Sequence, residues 1–435
     1  MEATAQSSAN SDDLGALARV AGEPAWLAQW RRDAWDIYSA APLPDRVAHL
    51  WRYSEPEKFL PDRITPLASN GAAPGDSAPD GLAGNPAAVA VIEDAVLQAC
   101  WIDPAWHEAG VVLTDLATAA REHEDLVRAH LGTAAGAESG KFEALNAALF
   151  AGGLFLYVPR NVRVDKPIHL FQRTRTDLAG LFGRLLIVVD EGAEATLFDE
   201  YSNGGENPRV LANSVVEGTL LPNSRLSYFN VQRWGSRTRS HARQRFLVQR
   251  DAAVTTVNIG LGGRYNKANL GNVQRGGNAQ AEMIGVIFGG GQQHFDNHTE
   301  HVHEAGNSFS DMDFKVVLED EARSVYTGLI RIDLEAPNSE AYQENRNLML
   351  DPTCRAESIP ELEILNEEVR CTHGATVGPI DEEQVYYLRT RGLRESEAER
   401  LIVEGFFGPA LDRIDDDELR ERLWGHINAK LAGRD

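Results

Sequence analysis

Lysine is nearly missing from this sequence: six lysines stand against 36 arginines. Basic residues total 42 against 65 acidic ones, and the formal net charge is −23. Such an acidic excess argues against non-specific binding to nucleic acid or an anionic membrane, and favours solubility. Cysteine is scarce too. Cys100, Cys354 and Cys371 are the three present, too few for a disulfide framework. The N-terminal "MEATAQSSANSDDLGALARV" lacks the basic region and apolar run of a signal peptide. No apolar run approaches the roughly 18 residues of a membrane span. A cytoplasmic protein with reduced thiols is therefore expected. Nucleotide-binding motifs are also missing. "ESGKFE" lacks the upstream Gly and the Ser/Thr of a P-loop, and "GLGGRYNKANLGN" is not G-x-G-x-x-G. No G-x-S-x-G nucleophile elbow occurs.

What is present divides the chain into three. A length of 435 residues, 43% of them hydrophobic, predicts more than one domain. Residues 1–150 read as an N-terminal helical domain. "PAWLAQWRRDAWDIYSAAPLP" and "KFEALNAALFAGG" carry apolar residues at helical spacing. The Gly/Pro/Ala/Ser composition of 69–87 marks a mobile loop between them. In 151–376 the period falls to two, beginning with "GLFLYVPRNVRVDKPIHLFQ". No helical stretch of ten residues interrupts this region, which excludes a sheet built from βαβ units. Short acidic or small-residue corners punctuate it, centred on Gly192, Asn223, Ala252, Gly277, Gly306, Ala322, Pro337 and Thr353. Their spacing starts near 30 residues and ends near 15, as in a β-solenoid of stacked coils. A large β-sandwich with regular hairpins is the alternative. Residues 377–435 return to helix as a C-terminal domain, opened by Asp381 and Gln384 in a capping pattern.

Three clusters could carry chemistry. "HFDNHTEHVH" gathers His294, His298, His301 and His303. In a strand, His294 and His298 share one face, His301 and His303 the other. They could form a metal site in a β-helix or cupin-like enzyme, or a plain polar ladder. Asp311 and Asp313 could pair as in sugar-cleaving enzymes, which needs a defined separation across a cleft. "VRCTHGATVG" sets Cys371 and His373 on one strand face. Thiolate beside imidazole is a soft half-site for Fe–S, Zn or Cu(I). A buried thiol at a strand end fits as well, and an activated thiol is the third alternative.

The last of these stretches carries a resemblance. "VRCTHGATVGPIDEEQVYYLRTRGLRESEAERLIVEGFF" resembles the C-terminal signature of the SufB/SufD family, scaffold proteins of iron–sulfur cluster assembly. "GLFLYVPRNVRVDKPIHLF", "RLLIVVDEGAEATLFDEYS", "NSEAYQENRNLML" and "LWRYSEPEKF" resemble family segments in order. The C-[ST]-H-G-A-T-V-G form is most like SufD, with a SufB-like subunit as the alternative. The resemblance implies a mainly β fold: a right-handed parallel β-helix flanked by helical domains. It implies a non-enzymatic scaffold that pairs with a SufB-like subunit through the β-helix. A SufC-like ATPase would bind the C-terminal helices, and a homodimer of the isolated chain stays open. It places Cys371 and His373 at that interface as ligands of a transient iron–sulfur cluster or iron. Cys354 falls where SufB carries its cluster-receiving cysteine.

Overall fold

The computed structural model describes residues 23–432, apart from 48, 62–63, 68–85, 152, 205–206 and 415. From Leu154 onward, strands alternate between two ten-stranded sheets and wind into a parallel solenoid of about eight turns. One sheet ends on the strand Arg355–Ile364, the other on Arg370–Pro379. Every ladder between successive coils is parallel and advances by about thirty residues. Thus Gln280 lies opposite Phe309, Phe309 opposite Glu340, and Glu340 opposite Arg370.

The corners explain the period. Gly192, Asn223, Asp251, Asn278, Asn307 and Asn338 take φ between +55° and +70°. Asn and Asp tolerate this left-handed region better than other side chains, and Gly does so freely. Each such corner bonds to the next coil's corner: Asn223 N–H donates to the Arg250 carbonyl at 3.0 Å, and Asn307 N–H to that of Pro337 at 2.9 Å. The sequence picks out Gly192 and Asn223 themselves, and the immediate neighbour at the other four.

Between the sheets, apolar side chains stack coil on coil. Met283, Met312, Phe314, Tyr326, Ile330 and Ile332 form one such run, against which Cys371 packs. Gly285 sits opposite Phe314, and a Cβ there would come within 2.2 Å of the phenyl ring. Glycine is required for that close approach.

The N-terminal region departs from the helical expectation. Helices Ala25–Ala40 and Lys141–Leu149 are present, but Ala88–Glu93 pairs in parallel with Ile168–Thr174. Val96–Ile102 and Val112–Asp115 add antiparallel strands. These strands cap the beginning of the solenoid. Short apolar runs such as "AVAVIE" do not distinguish strand from helix by period. The loop expected at 69–87 lies outside the described residues except for its last two positions. A fully buried network ties the N-terminal region to the first sheet. Arg184 pairs with Glu217 at 2.5 Å and donates to the Ala135 carbonyl, while Glu217 accepts from Gly132 N–H.

Three C-terminal helices, Glu382–Thr390, Glu395–Leu411 and Asp417–Ala432, fall where the sequence predicts. Asp381 caps the first, accepting from Glu383 N–H at 2.9 Å. The second and third lay Phe407, Leu411, Leu423 and Ile427 against Phe229, Val257, Ile259 and Phe288 of the second sheet. Arg413 bridges Glu282 and Asp311 at 2.8 and 2.9 Å, and Arg422 reaches Glu200 at 2.8 Å. Asp311 therefore anchors the helices and does not face a catalytic partner across a cleft. Among the described residues no helix is long and apolar enough to cross a membrane.

Candidate functional site at the open end of the solenoid

The two last strands of the solenoid, Arg355–Ile364 and Arg370–Pro379, each pair with one neighbour only. Their other edges leave backbone groups without a ladder among the described residues. A ten-residue unpaired edge is a template for another strand. The side chains there are unusual for an exterior. Leu362, Ile364, Leu365 and Val377 are exposed, Leu365 to 56%. In an inner coil, the positions of Leu362 and Ile364 are filled by the buried Ile330 and Ile332, their ladder partners. The open end is thus a cross-section of the core.

Cys371 and His373 stand on this end. Cys371 is opposite the fully buried Ala341, and His373 opposite the buried Gln343, so both belong to the inward-facing row. Strand geometry puts their Cα atoms about 6.5 Å apart on one face. Cys371 is half-buried; His373, with no further coil above it, is exposed. Burial pushes the Cys371 thiol up to about 11. That is opposite to what an activated nucleophile needs, and leaves a neutral thiol that loses its proton on binding a soft metal.

The structure does not bring Cys354 to the same place. Cys354 is buried at the corner entering Arg355–Ile364, among Ile287, Phe295, Leu318 and Ala322, and its thiol donates to the Asp320 carbonyl at 3.5 Å. Cys371 lies past the other end of that strand. Ten residues at about 3.3 Å each separate the two corners by roughly 30 Å. One small cluster cannot take both. Burial also raises the Cys354 thiol. Cys100 lies at the opposite end of the solenoid, donating to the Leu113 carbonyl at 3.2 Å.

The four clustered histidines occupy a strand, His294–His303, and are split between its faces as expected. His303 is wedged between Ser308 and Ser310 at 2.6 and 2.8 Å, and His301 meets the Asn272 amide at 3.0 Å. Burial pushes His298 and His301 down to about 3 and His303 to about 4. No group of three or more candidate metal ligands is gathered among the described residues. These histidines form a polar ladder, buried at His298, His301 and His303.

Residues 171–406 match the family model described as SUF system FeS cluster assembly, SufBD core domain, and residues 86–170 match the SufBD protein N-terminal region. The chain belongs to the SufBD family. The iron–sulfur cluster assembly SufBD family protein of Staphylococcus saprophyticus is 30% identical over 300 residues, covering 69% of this chain and 64% of that protein. A Staphylococcus epidermidis SufBD family protein is 30% identical over 302 residues, covering 69% and 65%. One from Staphylococcus aureus is 28% identical over the same length. The matched region thus spans just under two thirds of these relatives. The SufBD core match includes the whole open end and stops within the second C-terminal helix.

Sequence reasoning missed the anchoring residues. Arg413, Arg422 and Glu200 join elements far apart in the chain, and no local pattern signals them. Laying the strands in coil register is what exposes such partners.

Proposed function

We propose that this chain is a non-catalytic, SufD-like scaffold subunit that helps assemble iron–sulfur clusters at a subunit interface. The observation that carries the reading is the open solenoid end, where Cys371 and His373 sit together beside exposed core residues and unpaired strand edges. The edges and apolar end suit a SufB-like subunit extending the solenoid. Two ligands are too few to hold a cluster, so the partner would complete the set. On docking, Cys371 would lose its thiol proton to solvent as its sulfur binds iron, and His373 would offer a ring nitrogen from the same face. The chain has no P-loop, so a SufC-like ATPase is assigned to another subunit, engaging the C-terminal helices. Tyr386, Tyr387 and Leu401 are exposed there and give such a partner an apolar footing. Cys354, at the far corner, would serve a separate step or only packing.

The test is anaerobic co-expression with SufB-like and SufC-like subunits, followed by iron and sulfide analysis of the purified complex. Cys371→Ala and His373→Ala are expected to leave the complex intact and lower its iron and sulfide several-fold. Unchanged iron and sulfide in both variants would remove the ligand role. Failure of the chain to co-purify with a SufB-like subunit would remove the pairing.

A further inference from the structure

A cavity of about 560 Å³ lies between Arg46 with Tyr53–Phe59 of the N-terminal region and the outer face of the first sheet, near its last coils. Five cationic side chains line it, Arg46, Lys58, Arg264, Arg323 and Arg355, against two carboxylates, Glu55 and Glu321. In a chain of net charge −23 this is a local inversion of sign. The carboxylates are already engaged: Glu55 with Lys58 at 3.0 Å, and Glu321 accepting from the Gln292 amide at 3.0 Å.

The arginines are held in place without being neutralised. Arg355 donates to the carbonyls of Pro352 and Cys354 at 3.1 and 2.8 Å, and Arg46 to that of Arg52 at 3.2 Å. Arg323 forms no ion pair among the described residues. The coil register places Arg323 directly opposite Arg355, about 4.8 Å along the ladder. Like charges directly opposite on one sheet face are destabilising. Both side chains line the cavity, where an anion would offset their charge. Paired guanidiniums present forked donors suited to phosphoryl oxygens. The cavity is larger than one phosphate and lies in the size range of small-molecule sites. Tyr53, Phe59 and Tyr265 add rings to its wall.

We infer that this cavity binds a phosphorylated small molecule of nucleotide size, its phosphates on Arg323 and Arg355. The site bridges the N-terminal segment and the terminal coil, and stands independently of the cluster-ligand reading.

The experiment is isothermal titration of the purified full-length chain with ADP, pyrophosphate and citrate. ADP and pyrophosphate are expected to bind with Kd below about 1 mM, citrate at least tenfold more weakly. Arg323→Gln with Arg355→Gln should weaken both phosphate ligands at least tenfold while circular dichroism stays unchanged and melting does not fall. Citrate binding as tightly as pyrophosphate, no binding by either phosphate ligand, or affinities unmoved by the double arginine substitution would overturn the inference.

Discussion

At the scale of single residues, the three cysteines separate by what surrounds them. Cys371 is half-buried on an uncovered strand, whereas Cys354 is 2% exposed in an apolar corner. Cys371→Ser is therefore expected to cost under about 1 kcal/mol, while Cys354→Ser, which places a hydroxyl in apolar packing, should cost about 1–3 kcal/mol. Urea unfolding of the two variants measures the difference; equal losses would contradict the assigned environments. The Cys371–His373 pair was legible in the sequence because alternation in a strand needs only a spacing of two. The separation of Cys354 from it was not. Seventeen positions along the chain look close, but a full strand lies between the two corners. Only the coil register converts sequence distance into space.

At the scale of elements, the C-terminal helices are held by apolar packing and by a few charged clasps. Arg413 faces Glu282, Asp311 and, more distantly, Asp313. Without it, neighbouring carboxylates on one sheet face would repel. Arg413→Ala is expected to weaken docking of the helices by about 1–3 kcal/mol, the usual worth of hydrogen bonds to charged groups. Limited proteolysis should then cleave within 380–432 faster than in the parent chain, with Arg413→Lys between the two. The helices themselves were legible from caps and period. Their berth on the sheet was not, since strand residues such as Val257 and Ile259 read alike whether they face a core or a helix. The strands at 88–115 escaped notice for a related reason: each is too short to show a period.

At the scale of the whole molecule, buried imidazoles set the response to acid. His169, His241 and His303 are pushed down to about 4, and His298 and His301 to about 3, burial being the main cause in each. The unfolded chain takes up these protons near pH 6.5, before the folded one does. Stability is therefore full above about pH 6.5 and falls as the pH drops toward 4. Asp199 opposes this: burial raises it to about 6, so the folded state binds its proton first as pH falls. Burial also raises Asp311 and Asp313 and lowers His130 and His294; the imidazoles outnumber the raised carboxyls, and the thermal midpoint should fall from pH 6.5 to 4. A flat profile would mean that the histidines are hydrated. The solenoid itself was legible because its corners demand Gly, Asn or Asp at a nearly fixed interval, and the sequence complies.

Stacked coils bring one more consequence. Each inner coil is gripped from both sides, and the terminal coil from one side only. In such a one-dimensional array, cohesion comes from nearest neighbours, and loss of order starts at an end with a single contact. The coil carrying Cys371 and His373 is thus the first to fray and the last to settle. Amide exchange should be fastest in 355–379 among the solenoid strands, and a subunit seated on the open end should slow it selectively there. On the function proposed above, ligand placement and partner docking would be one cooperative event, with Cys371 and His373 kept pliable until the proposed partner covers them.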